Sequence, residues 1–234
     1  MKIKIALHLL LFSSLIQAQE LTGLWMVEEV RVGEETMTPV AKWFKYDDDG
    51  TYTGGNGWLQ NDEGIWRFDL EAQTLETKNS YGLEDPFGPF KVSAKDNKMI
   101  WERKEEGMNV IVTLSRTDKL PKSPADWLVG IWGLQAAEKN GADNLESLDA
   151  ERKIYFFIRW DRVVIQRNDK GERKTGYWHI HGHRPEVTFL PHDSQLPAET
   201  WRVEPGPKAL VMTGISDTNR DQVLKFGRLR DFPE

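Results

Sequence analysis

Three histidines at alternate positions, His179, His181 and His183, are the densest set of potential metal ligands in the chain. Alternate residues of a β-strand share one face at about 6.5–7 Å, a spacing at which two imidazoles can hold one Zn²⁺ or Cu²⁺. His192 or Asp193 could supply a further ligand. The competing interpretation is an exposed polar face, because the strand alone supplies no third ligand. We favour the polar face and expect no cofactor.

An acidic segment, Asp47-Asp-Asp-Gly50, is a second candidate cation site. Its carboxylates could contact calcium, but the segment lacks the ligand spacing and the distal glutamate of an EF-hand loop. An Asp-Gly pair also supplies the positive φ that a tight β-hairpin needs. The sequence therefore favours a hairpin turn over a calcium site.

The common linear signatures of catalysis are missing from the sequence. It contains no G-x-S-x-G elbow, no H-E-x-x-H, no phosphate-binding loop and no dinucleotide fingerprint. Catalytic groups contributed by separated strands would leave no linear motif, so an enzyme of another type stays open. We predict that the protein is not an enzyme.

Residues 1–18 have the form of a secretory signal peptide. A basic head with Lys2 and Lys4 precedes an apolar run from Ile5 to Ile16, and the small residue Ala18 follows. Removing two lysines from the chain's 31 basic residues leaves 29 against 37 acidic ones, a net charge of −8. We therefore predict a periplasmic or secreted protein with no membrane span after signal removal and no nucleic-acid partner. The chain has no cysteine, which excludes disulfides and cysteine-based zinc sites.

The elements that must position any site occur twice. Leu21-Thr-Gly-Leu-Trp25 recurs 107 residues later as Leu128-Val-Gly-Ile-Trp132. Five further segments recur at offsets of 110 to 114: Phe44–Asp47 as Ile158–Asp161, Gly64–Trp66 as Gly176–Trp178, Phe90–Val92 as Trp201–Val203, Lys98–Trp101 as Lys208–Val211, and Thr113–Arg116 as Lys225–Arg228. A nearly constant offset indicates a duplicated domain. We predict domains at 19–117 and 127–234, joined by a linker at 118–126.

Within each copy, short alternating runs are broken by turn residues about every ten positions, which is typical of antiparallel all-β domains. The linker carries Ser123 and Pro124, a capping residue and a proline suited to the first helical position. By the matched segments, the connection between the first two strands is seven residues longer in the second copy. Asn144–Glu151, within that connection, could form two helical turns capped by Asn144.

The pattern G-x-W at the head of the first strand, with an arginine at the end of the last, resembles the lipocalins and other members of the calycin superfamily. This resemblance implies two small antiparallel lipocalin-like β-barrels in tandem. It also implies that an arginine lies over each indole and closes one barrel end, as a cation–π pair. The pairs would be Trp25 with Arg116 and Trp132 with Arg228.

The repeat also assigns the histidines to a face of their strand. Trp66 matches Trp178, so His179 falls where the first copy has Arg67. That position alternates with apolar ones and should point to solvent. This comparison strengthens the interpretation of an exposed polar face.

Aromatic residues at inward positions leave two functions open. A barrel of eight strands is either just filled by side chains or holds one small ligand. The matched strands exchange Met99 and Trp101 for Ala209 and Val211, and the longer connection could form a lid. We therefore predict a binding protein for a small hydrophobic or amphipathic molecule, with a pocket in the second barrel lined by Trp132, Trp178, Phe189, Trp201, Val211 and Phe226. The alternative is a pair of filled barrels that serve as a protein or glycan interaction module at the cell envelope; the sequence leaves the oligomeric state open.

Overall fold

The computed structural model describes residues 20–168, 170–182 and 184–233, and the predicted signal peptide lies outside them. The chain divides between Pro121 and Lys122 into two compact units. Each unit is a closed antiparallel barrel of eight strands with one short additional strand, so the all-β prediction is confirmed. No helix among the described residues is both long and apolar enough to span a membrane.

Barrel 1 contains strands β1 to β9. Their neighbours run in the order β2-β1-β3-β4-β5-β6-β7-β8-β9, and β9 pairs back with β1 to close the barrel. The bounds are β1 Gly23–Val32, β2 Glu35–Met37, β3 Trp43–Tyr46, β4 Thr51–Asn56, β5 Leu59–Asp69, β6 Thr74–Asn79, β7 Phe90–Lys95, β8 Lys98–Glu105 and β9 Met108–Thr117. The short β2 pairs only with the outer end of β1.

Barrel 2 repeats this topology with strands β10 to β18, and β18 pairs back with β10. The bounds are β10 Gly130–Lys139, β11 Ala142–Asp143, β12 Tyr155–Ile158, β13 Val163–Arg167, β14 Arg173–Ile180, β15 Glu186–Pro191, β16 Glu199–Pro205, β17 Ala209–Gly214 and β18 Gln222–Leu229. Two short helices complete this unit, α1 at Pro124–Leu128 and α2 at Leu145–Leu148.

The duplication extends to an irregularity in the first strand of each barrel. The register with the last strand shifts after Val27 in barrel 1 and after Leu134 in barrel 2, positions that are 107 residues apart. Such a bulge bends the strand and increases its local twist, which helps a sheet to curl and close. The internal repeat is thus a structural repeat.

The second strand of barrel 2 differs in register from the prediction. Phe44 pairs with Trp25, and Phe156 pairs with Trp132, so the true offset is 112 rather than 114. The chain has 19 residues from Trp25 to Phe44 and 24 from Trp132 to Phe156, so the connection is five residues longer, not seven. The sequence match was misled by Trp160, which lies in the turn after β12 and is 81% exposed.

The first of the two helices agrees with its prediction, and the second is shorter than predicted. Ser123 caps α1 through a complete capping box with Asp126, as predicted. The second helix has one turn instead of two, and the side chain of Asn144 makes no capping hydrogen bond. Asp143 Oδ1 accepts the hydrogen bond from the Leu145 N–H instead, at 2.9 Å. The helix ends at Leu148 because the Asp149 carboxylate accepts from later backbone amides.

Candidate ligand-binding site

One end of each barrel is closed by the predicted tryptophan and arginine. The Arg116 guanidinium lies 4.5 Å from the Trp25 ring, and that of Arg228 lies 4.2 Å from the Trp132 ring. Both indoles are buried, and each Nε1–H donates to a backbone carbonyl four residues earlier. Each arginine also donates to the backbone just before the first strand. These contacts tie the first strand of each barrel to the last.

The glycine of each G-x-W motif makes room for this arginine. A Cβ on Gly23 would lie 2.6 Å from Arg116 Nη1, and one on Gly130 would lie 2.3 Å from Arg228 Nη1. Both glycines also have positive φ, +113° and +145°, which side chains rarely adopt. Burial beside the Trp132 indole lowers the pKa of Arg228. The motif is therefore a structural device for closing the barrel.

Barrel 2 has a cavity at the opposite end, which we call the mouth cavity; its volume is about 160 Å³. Strands β10 and β18 run from the closed end, where Ile131 pairs with Leu229, to this end, where Lys139 pairs with Gln222. Apolar side chains of the core form its floor: Leu134, Phe156, Trp201, Leu224 and Phe226. Leu148 of α2 and Ile154 lie at its edge and pack on the same core.

The helix at the edge is held by a buried carboxylate. Asp149 is fully buried, and its oxygens accept from the N–H groups of Lys153 at 2.7 Å and Ile154 at 3.1 Å. Its backbone N–H donates to the Leu145 carbonyl at 2.8 Å. Asp149 thus fixes Leu148 and Ile154 beside the cavity.

Polar side chains at inward positions form the rim of the mouth cavity: Gln166, Lys174, Glu199 and Gln222. Lys174 is four residues before buried Trp178 on β14, and Glu199 is two residues before buried Trp201 on β16. Since alternate strand residues share a face, both charged side chains are directed to the barrel interior. The cavity therefore has an apolar floor and a polar rim.

Glu199 is the half-buried charge of this rim. Burial raises the pKa of its carboxyl, and the Trp201 indole and Lys174 partly offset that rise. Trp201 Nε1 is buried near this carboxyl, yet it makes no hydrogen bond of ordinary geometry with any described residue.

A smaller cavity of about 90 Å³ adjoins the mouth cavity. The two share Gln166, Lys174 and Glu199 as lining residues. Phe189, Pro191 and Leu196 complete its apolar part. The polar rim thus lies between two small apolar spaces.

The predicted pocket residues other than Val211 fall into three groups. Trp201 and Phe226 line the mouth cavity, and Phe189 lines the adjoining one. Trp132 and Trp178 lie in the core of the same barrel, where the indole of Trp178 donates to Arg159 O at 2.8 Å under the Arg162 guanidinium.

The inward direction predicted for Val211 is wrong. Val211 pairs with Glu204 and Lys225 on the outer face, while its neighbours Leu210 and Met212 are fully buried. The match between the copies was one residue out of register at β17. Consequently Trp101 of barrel 1 corresponds to Met212.

Two of the three histidines, His179 and His181, lie at the end of β14. His179 is exposed opposite Thr188, and His181 follows the last strand residue with its Nδ1 accepting from Arg184 N–H at 3.3 Å. His183 lies outside the described residues. The described part of the chain contains no group of three His, Asp or Glu residues placed to hold a metal.

The other proposed ligands have different partners. The His192 ring packs edge-on against Tyr177 at 4.6 Å, with Thr175 Oγ1 3.0 Å from its Nδ1. Asp193 Oδ1 accepts from the Gln195 N–H at 3.0 Å. Both side chains are thus engaged in local contacts.

The acidic segment forms a hairpin turn between β3 and β4. Gly50 has φ of +84°, and Asp49 Oδ1 accepts from the Thr51 N–H at 2.9 Å. Asp47 pairs with Lys45 at 2.6 Å. These hydrogen bonds account for the segment without a cation.

The sequence reasoning missed the rim and part of the floor. Each of these rim residues is two positions from a buried residue of its own strand, so both share the inward face. Gln166 is two residues after Val164, Lys174 is two before Gly176, and Glu199 is two before Trp201. Phe156 was missed because its strand was matched two residues out of register.

No known protein family matches the chain, and no curated protein is significantly similar to it. The two closed eight-stranded barrels in tandem are consistent with a lipocalin-like fold.

Proposed function

We propose that this protein is an exported, non-catalytic binding protein of lipocalin-like form, and that it holds a small amphipathic molecule in the mouth cavity of barrel 2. The observation that carries the proposal is the composition of that cavity. Its floor is aromatic and aliphatic, and its rim places Gln166, Lys174 and Glu199 on inward positions. Small-molecule sites combine an apolar lining with a few convergent polar groups in this way.

The size of the cavity limits the ligand. A volume of about 160 Å³ is close to the ~150 Å³ of an engineered apolar cavity that takes benzene. A single ring therefore fits the floor, with a short polar group at the rim. Burying such a ring contributes about 1.5–3 kcal/mol, so rim contacts must add to it for sub-millimolar affinity.

The test is a titration of the full chain with indole and with toluene, followed by NMR of the tryptophan indole N–H groups. We expect saturable binding and a shift of the Trp201 Nε1–H resonance. Leu224→Phe fills the floor and should abolish binding. Val211→Phe adds the same ring on the outer face of β17 and should leave binding unchanged.

Two results would contradict the placement. One is binding that survives Leu224→Phe in a variant whose thermal unfolding matches the parent. The other is a saturable shift confined to indoles of barrel 1, such as Trp101.

A second function, interaction with a protein or glycan, is favoured by exposed aromatic residues at turns. Trp58, in the turn between β4 and β5, is 63% exposed, and Leu59, the first residue of β5, is 55% exposed; Trp160 is exposed in barrel 2. Contiguous exposed apolar side chains mark interaction sites more often than isolated ones do, and Trp58 and Leu59 are neighbours in the chain. Quenching of fluorescence by oligosaccharides that is lost in Trp58→Ser or Trp160→Ser would support this function over the first.

A further inference from the structure

The charge of the ligand can be inferred from the rim of the mouth cavity, if the proposed function is correct. Glu199 and Lys174 both point inward, but they differ in burial: Glu199 is half-buried beside Trp201, and Lys174 is exposed. Within the part of the chain that the structure describes, Glu199 forms no ion pair within 4.0 Å. The rim therefore presents a half-buried carboxylate that forms no ion pair with the described side chains.

Desolvation makes the two charges unequal as binding partners. A half-buried carboxylate gains more from a charged donor than from a neutral one, because the charged donor offsets more of its lost hydration. The Lys174 ammonium keeps its hydration and can turn towards solvent on a flexible stem. An anion at the rim would thus gain less from Lys174 than a cation would gain from Glu199.

The floor beneath Glu199 suits an aromatic ring. Phe156, Trp201 and Phe226 line the cavity, and the rings of Phe156 and Phe226 are 5.0 Å apart. Aromatic rings pack favourably on one another in offset or edge-to-face arrangements. A ligand ring on this floor places its polar head at the rim, beside Glu199.

We propose that the mouth cavity selects a small arylalkylamine, whose ring fills the floor and whose protonated amine pairs with Glu199. The amine donates to the carboxylate oxygens, while Gln166 offers a further amide oxygen at the same rim. Lys174 then disfavours a second positive charge on the ligand. The proposal assigns selectivity for charge to Glu199 and selectivity for size to the floor.

The experiment compares three ligands of similar size on the full chain by calorimetry at neutral pH: 2-phenylethylamine, 2-phenylethanol and phenylacetate. We expect the amine to bind about tenfold or more tightly than either of the others, the usual gain from a charge-assisted hydrogen bond. Glu199→Gln should reduce the affinity for the amine to about that for the alcohol, and the affinity for the alcohol should change much less, because the alcohol loses no charge pair. Glu199→Asp, which retains the charge, should keep part of the preference if Gln disturbs folding.

Lys174→Gln is the matched control, since it neutralises the other inward charge. It should preserve or increase the preference for the amine. Tighter binding of phenylacetate that is lost in Lys174→Gln would overturn the proposal, as would equal affinities for all three ligands. If indole and toluene bind but none of the three does, selectivity for an amine is refuted while the binding function stands; if nothing binds, both fail.

Discussion

The two barrels share their closed ends and differ at their mouths. In barrel 1, Arg103 occupies the inward position at the mouth, lies 3.9 Å from the Phe90 ring and donates to Gly88 O at 2.8 Å. The corresponding residue of barrel 2 is Gly214, which pairs with Trp201. A Cβ on Gly214 would clash with Asn219 O, so the fully buried Asn219 fills that place in barrel 2. Barrel 1 thus has an arginine side chain at this position of its mouth, and barrel 2 has the turn at Asn219.

The interiors of the two barrels also differ. Trp101 of barrel 1 packs against Phe44 at 5.1 Å and Phe90 at 5.4 Å, and its counterpart in barrel 2 is the smaller Met212. A half-buried carboxyl in barrel 1, Asp62, accepts from the Tyr52 hydroxyl at 3.1 Å, whereas the half-buried Glu199 of barrel 2 lies beside the Trp201 indole and Lys174. Closure is therefore common to both copies, and ligand binding is proposed for only one.

The largest expected effect concerns the shared closed end. Arg228→Ala removes a cation–π contact and hydrogen bonds to Trp127 O, Val129 O and Pro207 O, and should lower the free energy of unfolding of barrel 2 by about 1–3 kcal/mol. Arg116→Ala should do the same to barrel 1. Chemical denaturation followed by tryptophan fluorescence measures both. Losses below about 0.5 kcal/mol in both variants would show that the pairs do not hold the barrels together.

A second substitution separates the two mouths. Arg103→Ala removes a side chain that is only 12% exposed and leaves Glu105 and Asp85 without their cation, so barrel 1 should lose about 1–2 kcal/mol. Arg202→Ala, on an exposed position of β16, serves as the control in barrel 2 and should change stability by less than about 0.5 kcal/mol. Equal effects of the two would mean that Arg103 does not brace its mouth.

The edge of the mouth cavity should matter more for binding than for stability of the whole chain. Asp149→Asn weakens the acceptors for the Lys153 and Ile154 amides and should loosen α2, lowering affinity for indole several-fold. Hydrogen exchange of the Ile154 amide is the direct measurement, and it should become faster. Unchanged hydrogen exchange of the Ile154 amide together with unchanged affinity for indole would show that α2 plays no part in binding.

The smallest effect is a difference in pH dependence. Because burial raises the pKa of Glu199 in the folded state, its contribution to stability is complete below the unfolded value of 4.5 and is lost as pH rises through the folded value. Glu199→Gln does not titrate, so it should gain melting temperature relative to the parent as pH rises from 4 to 7. A difference that is constant with pH would contradict the burial of this carboxyl.

Much of the fold was predictable because its determinants are local. Alternation, turn glycines and the repeated G-x-W fixed the strands, and the arginine contacts followed from the resemblance. The mouth was harder, because it depends on which residues of separated strands share an end. The match between β8 and β17 was one residue out of register. This error placed Val211 in the predicted interior, because the side chains of a strand alternate between its two faces. Trp101 is replaced by a smaller residue in barrel 2, as predicted, but that residue is Met212 rather than Val211.

The most direct measurement is a crystal structure of the full chain soaked with 2-phenylethylamine. We expect electron density for the ring between Phe156, Trp201 and Phe226, with the amine within hydrogen-bonding distance of Glu199. We expect no ligand inside barrel 1. Density for the ligand among Tyr46, Phe90 and Trp101 of barrel 1, with an empty mouth cavity in barrel 2, would contradict it.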